Sequence, residues 1–117
     1  MWLRIAAIFM FLAVALGAFG SHALKAKLDS YSLDVYKTAV LYHLIHALGL
    51  FVVFYLSSIS SDTKIQWAGI LLVSGIVLFS GSLYLLAITG QQWLGAITPL
   101  GGLSFLAAWI LIALVRL

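Results

Sequence analysis

Charge is missing from most of this chain, and the places where it is missing fix the fold class. No Asp, Glu, Lys or Arg lies between Arg4 and Lys25, between Lys37 and Asp62, or between Lys64 and Arg116. A helix rising about 1.5 Å per residue crosses hydrocarbon in roughly 20 residues. Each interval reaches that length, and the last is long enough for two crossings. Backbone polar groups in lipid have to be satisfied within their own segment, so these spans are helices, and the alternating pattern of a membrane barrel is absent. The expected fold is all-α: one integral membrane domain over residues 1–117, built as a four-helix antiparallel, up-down-up-down bundle. Its spans are expected at about 2–22, 35–56, 65–88 and 98–116.

Composition agrees. Only 8% of residues are charged and 65% are hydrophobic, against roughly 25% and under 50% in soluble domains. Six scattered Lys and Arg residues and a net charge of +3 form no basic run suited to nucleic acid, although they suit anionic lipid headgroups. Cysteine is absent, which removes disulfides, thiolate metal sites and cysteine nucleophiles. The first 23 residues imitate a secretory signal, with one arginine, an apolar core and Ser21-His22-Ala23. The stretch from Ile5 to Phe19 with its flanks is long for a signal core, so the first span is expected to be retained.

The connections carry the remaining structural signals. Residues 24–37, "LKAKLDSYSLDVYK", repeat Leu24, Leu28, Tyr31 and Val35 at helical spacing, as either an interfacial amphipathic turn or a solvated hairpin. Ser32 and Asp34 suit the start of the second helix, and Thr98 before Pro99, the only proline, suits the cap of the fourth. Trp67 and Trp93 are expected in the headgroup layer. Small residues mark contact stripes at Ala13 and Gly17, at Ser74 and Gly81, and at Gly101, Ser104 and Ala108. Such stripes permit a homo-oligomer.

Short connections bring the end of the first span, the start of the second, the end of the third and the start of the fourth to one membrane face. Most in-span polar residues fall in that half, among them His22, Tyr36, Tyr42, His43, His46, Ser80, Ser82, Tyr84 and Thr98. On a helix advancing 100° per residue, Tyr36 and His43 differ by about 20° and His43 and His46 by about 60°. They share a face. His46 lies about 15 Å along the helix from Tyr36, near mid-membrane, where an imidazole facing lipid is costly. It is therefore expected to face the bundle, toward Ser80, Ser82 or Tyr84 on the third helix, or Thr98 and the Gly101-Gly102 backbone on the fourth.

Two readings of these nine residues stay open. They line a polar pocket that binds a small ligand or a lipid headgroup, with His22 at its mouth, or they pin four helices into register. A metal site drawn from His22, His43 and His46 lacks any in-span carboxylate and the spacing of a catalytic zinc helix. Haem would need histidines at matching depth on two helices. No metal ligand set or cofactor is expected, and metal or haem binding stands only as a second alternative. Every aspartate lies in a connection, glutamate is absent, and no nucleophile elbow or phosphate loop occurs, so an enzyme is not expected. Proton- or cation-coupled transport through His46, His43 and His22 is the alternative, although familiar drug-proton exporters of this size carry an embedded carboxylate.

"GAFGSHAL", "YHLIHALGL", "FSGSLYLLAITG" and "ITPLGGLSFLAAW", one from each span, resemble the small inner-membrane family typified by YgdD. That family, domain of unknown function 423, has bacterial members and animal transmembrane relatives. Its pattern falls here on Gly17, Gly20, His22, Tyr42, His46, Ser80, Gly81, Ser82, Tyr84, Thr98, Pro99, Gly101 and Gly102, and His43 is not a fixed part of it. The resemblance implies a four-span protein of the cell inner membrane, with membrane lipids as partners and no known substrate. Arg4, Lys64 and Arg116 on one face balance Lys25, Lys27 and Lys37 on the other, so charge alone leaves orientation undecided. Basic tails in relatives, where this chain ends at Leu117, imply both termini in the cytoplasm.

Overall fold

The computed structural model describes all residues, Met1–Leu117. It is helical throughout, without strands. Four helices are long and apolar enough to cross a membrane: Trp2–Leu24, Ser30–Ile59, Thr63–Thr89 and Gln92–Ala113. The first is α1 (Trp2–Phe19) closed by one wider π-helical turn, Gly20–Leu24. The second is α2 (Ser30–Ile59). The third joins α3 (Thr63–Gly75) to α4 (Gly81–Thr89) through a π-helical turn, Ile76–Ser80. A 3-10 stretch, Gln92–Ala96, leads into α5 (Thr98–Ala113).

Local chemistry moves two helix starts and one cap from their expected places. α2 begins at Ser30 instead of 35, because the Asp29 carboxylate accepts the Ser32 amide at 2.7 Å and caps the helix, so much of residues 24–37 is helix instead of loop. Asp62 caps α3 by accepting the Lys64 amide at 3.0 Å. Thr98 caps nothing: the residue preceding α5 is Ile97, without a side-chain bond, and the Thr98 hydroxyl is used elsewhere. Gly90 ends α4 with φ 72°, a left-handed conformation glycine adopts at no steric cost.

Contacts between neighbouring helices run in opposite senses. Gly20 faces Tyr36, Gly17 faces Val40 and Phe9 meets His43 across α1 and α2. Gly49 faces Leu72 while Ala39 meets Ser80. Across the third and fourth spans, Leu71 meets Ser104, Gly101 faces Phe79 and Thr98 meets Ser82. Both ends of the chain therefore lie at the end of the bundle where α2 turns into α3: Trp2 Nε1 donates to Gln66 Oε1 in the first turn of α3 at 2.7 Å, and Ser60 Oγ of the connection donates to the Arg116 carbonyl at 2.7 Å.

The second and third spans form the central pair, with 39% and 44% of their most apolar windows buried against 17% for each outer span. Lipid supplies no hydrophobic drive between helices, so close packing has to do that work. The larger core lies toward the chain ends, around Trp2, Leu50, Val53, Ile65 and Leu72. Trp2 sits directly on Gly69, where any Cβ would overlap its indole. The stripe residues Ala13 and Ala108 are fully buried. Gly81 departs from expectation, since a Cβ there meets only the Ile76 carbonyl at 3.9 Å. Trp67 and Trp93 are exposed near span ends.

Candidate functional site

Most of the polar side chains expected to line one pocket are instead spent on bonds between helices. Tyr36 on α2 donates to the Leu16 carbonyl of α1. Ser80, fully buried, donates to the Ala39 carbonyl of α2 at 2.8 Å. The π turn ending at Ser80 inserts one residue into the helical repeat, and residues after it rotate relative to those before it. Ser82 donates to the Phe79 carbonyl at 2.9 Å, which leaves its oxygen to accept the Thr98 hydroxyl at 2.6 Å, tying α4 to α5. Ser104 adds a bond to the Leu71 carbonyl at 2.6 Å.

The two histidines of α2 part company. His43 Nδ1 pairs with the Tyr84 hydroxyl at 2.9 Å, its ring edge meets Phe9 of α1, and its Nε2 is sealed without any hydrogen-bond partner. His46 turns the other way, toward α5. Its Nδ1–H donates to the Tyr42 carbonyl one turn back at 2.7 Å, and its ring lies flat on Phe105, centroids 3.5 Å apart and planes within 9°. Trp109 closes a further side at 5.8 Å. None of the partners expected for His46 on the third helix, nor Thr98 or the glycine pair, bonds to it. Phe105 reaches this position because Gly75 offers it space, and Trp109 does so over Gly49.

Beside His46 lies a cleft of about 620 Å³, with Tyr42, Phe79, Phe105, Leu106 and Trp109 among its walls. Leu103 and Leu106, both more than 60% exposed, form its rim, so it opens from the side of the helices at mid-span depth. His46 is only 5% exposed. Its Nε2 makes no hydrogen bond, yet the one sealed, unpartnered side-chain atom is that of His43, so the His46 nitrogen keeps accessible surface.

The remaining expected residues are elsewhere. His22 is exposed on the terminal π turn of the first span and joins neither histidine. At that end a separate cleft of about 270 Å³ lies between α1 and α2, with Tyr36, Ser21, Lys25 and Lys37 in its walls. No three His, Cys, Asp or Glu side chains converge. The nine residues thus divide among helix-pinning bonds, the aromatic cleft of His46 and Tyr42, and an exposed His22. Sequence reasoning missed Phe79, Phe105 and Trp109 as the surroundings of His46. Their signal was Gly75 and Gly49, which were not read as seats for facing rings.

Comparison with known proteins adds a family. A family model described as a protein of unknown function (DUF423) matches residues 16–102. The UPF0382 membrane protein YwdK of Bacillus subtilis is 54% identical over 102 residues, covering 86% of this chain and 83% of the relative. The UPF0382 membrane protein SH2409 of Staphylococcus haemolyticus is 46% identical over 101 residues, covering 86% and 82%. No solved structure matches the chain.

Proposed function

The chain belongs to the DUF423 family, with membrane proteins as its relatives, and from that premise we propose that it is a non-enzymatic membrane protein that binds a small membrane-dissolved molecule beside His46. One observation carries this reading. A histidine nine-tenths buried lines an aromatic cleft that opens sideways from the helices and keeps a ring nitrogen unbonded yet accessible, whereas Tyr36, Ser80, Ser82 and Thr98 all find partners within the fold. The π turn at Ile76–Ser80 borders the same cleft through Phe79, and such turns are frequent at functional sites.

Proton- or cation-coupled transport would use His43 and His46 as successive carriers. The two rings contact different helices, α1 and α4 for His43 and α5 for His46, which favours binding over relay. The protein is assigned to the cell membrane with both termini cytoplasmic, following the basic tails of family relatives instead of its own balanced charges. Native mass spectrometry of protein released from its own membranes tests the binding reading. Wild type is expected to retain a lipid-soluble small molecule, and Leu103→Trp, which fills the rim of the cleft, to lose it. Equal retention by both, or none by either, overturns the reading, and His46-dependent ion flux in proteoliposomes would replace it with transport.

A further inference from the structure

We propose that the cleft beside His46 takes a membrane-soluble phenol of the quinol class, a flat ring whose hydroxyl donates to His46 Nε2; this rests on the binding reading above. Proton bookkeeping sets the donor direction. Asp29 and Asp62 lie outside the helical spans and Asp34 sits in the first turns of α2, roughly 18 Å along the helix from His46, so an imidazolium at mid-span would have no counter-charge beside it in hydrocarbon, and the ring is neutral. A neutral imidazole has one N–H. The Tyr42 carbonyl can only accept, so that proton sits on Nδ1. Nε2 is left as an acceptor with accessible surface, on a residue that lines the cleft.

The occupant therefore has to donate. Acyl esters and ketones are acceptors and would set two lone pairs against each other. Headgroup hydroxyls and interfacial water belong to the membrane surface, roughly 15 Å along the helix from this depth. What remains is a hydroxyl carried on an apolar body. The walls narrow the body further: Phe79, Phe105, Tyr42 and Trp109 present aromatic surface within one cleft of about 620 Å³, and aromatic surfaces favour another ring in offset or edge contact. A hydroquinone satisfies both demands. Its oxidised partner, a quinone, has the ring and the size but only carbonyl acceptors, so the site distinguishes the two redox forms by one hydrogen bond. No electron transfer is involved.

The test is titration of ¹⁵N-histidine-labelled protein in detergent micelles with an alkyl hydroquinone, the corresponding quinone, and an alkanol of equal chain length, following the His46 Nε2 resonance. The hydroquinone is expected to shift that resonance and to bind about fivefold tighter than the quinone, the worth of one hydrogen bond. His46→Phe should erase the preference, and His46→Gln, which retains an acceptor oxygen, should preserve part of it. Equal binding of the two redox forms overturns the donor inference and leaves the binding reading standing. An alkanol that binds as tightly as the hydroquinone overturns the ring. Absence of any binding at His46 overturns both this inference and the binding reading. If the variants fail to fold, the preference of the wild type alone decides.

Discussion

Gly101 and Gly102 are adjacent on α5, yet a methyl group on each should have opposite effects. A Cβ built on Gly101 overlaps the backbone nitrogen and Cα of Phe79, whereas one on Gly102 comes no closer than 3.8 Å to the Phe79 ring. Replacing a helical glycine by alanine by itself stabilises by roughly 0.5–1 kcal/mol. For Gly102→Ala that gain stands almost alone. For Gly101→Ala it is opposed by overpacking, which costs about 1–3 kcal/mol, and the upper end applies because the obstacle is backbone and no rotamer change can relieve it. Gly101→Ala is therefore expected to destabilise by about 2 kcal/mol, a factor of about 30 in the folded ratio, and Gly102→Ala to be neutral or slightly stabilising. Reversible SDS unfolding in mixed micelles, followed by helical ellipticity, measures both. Equal stability of the two variants would refute the reasoning, because it would mean that α5 does not approach the π turn at Phe79.

Tyr84→Phe removes the hydrogen bond to His43 Nδ1 and should destabilise by about 1–3 kcal/mol, the cost of a buried polar group left unpaired; adding His43→Leu should recover part of the loss in the same unfolding assay. A double-mutant cycle with Ser82→Ala and Thr98→Val should give a coupling near 0.6 kcal/mol and not above about 1.7, the range for hydrogen bonds between membrane helices. The Asp62 carboxylate, held below its ordinary value of 3.8 by hydrogen bonds from the backbone N–H groups of Arg116 and then Lys64, stabilises the fold in its ionised form. A depressed folded value means that this contribution is complete above the unfolded value and lost as pH falls through the folded one. Thermal stability should accordingly drop below about pH 4, and Asp62→Asn should flatten that part of the profile.

How far the fold was legible follows from which forces act locally. The uncharged intervals and the lack of water in lipid require helices of a given length wherever they occur, whatever they pack against, so four spans could be read directly. The polar half-bundle was readable for the same reason, since imidazoles and hydroxyls at depth need partners. Tyr36, Ser80, Ser82 and Thr98 found them across helix interfaces. Helix starts were less legible, because Asp29 competes with Ser32 and Asp34 for the first-turn amides, and a list of capping residue types does not say which one is placed to bond them.

The sequence by itself determined that this chain is helical, lies in a membrane and carries its in-span polarity toward one end, because charge and hydrophobicity act on each segment alone. Only the tertiary structure decided that His43 and His46, 60° apart on an ideal wheel, serve different neighbours. Which helix lies against which side of α2 depends on seats such as Gly75, which admits Phe105, and Gly101, which admits the Phe79 backbone. Close packing is a property of two surfaces at once. It set the His46 ring on Phe105 beside a cleft, where the pattern of one helix could say only that the ring turns inward.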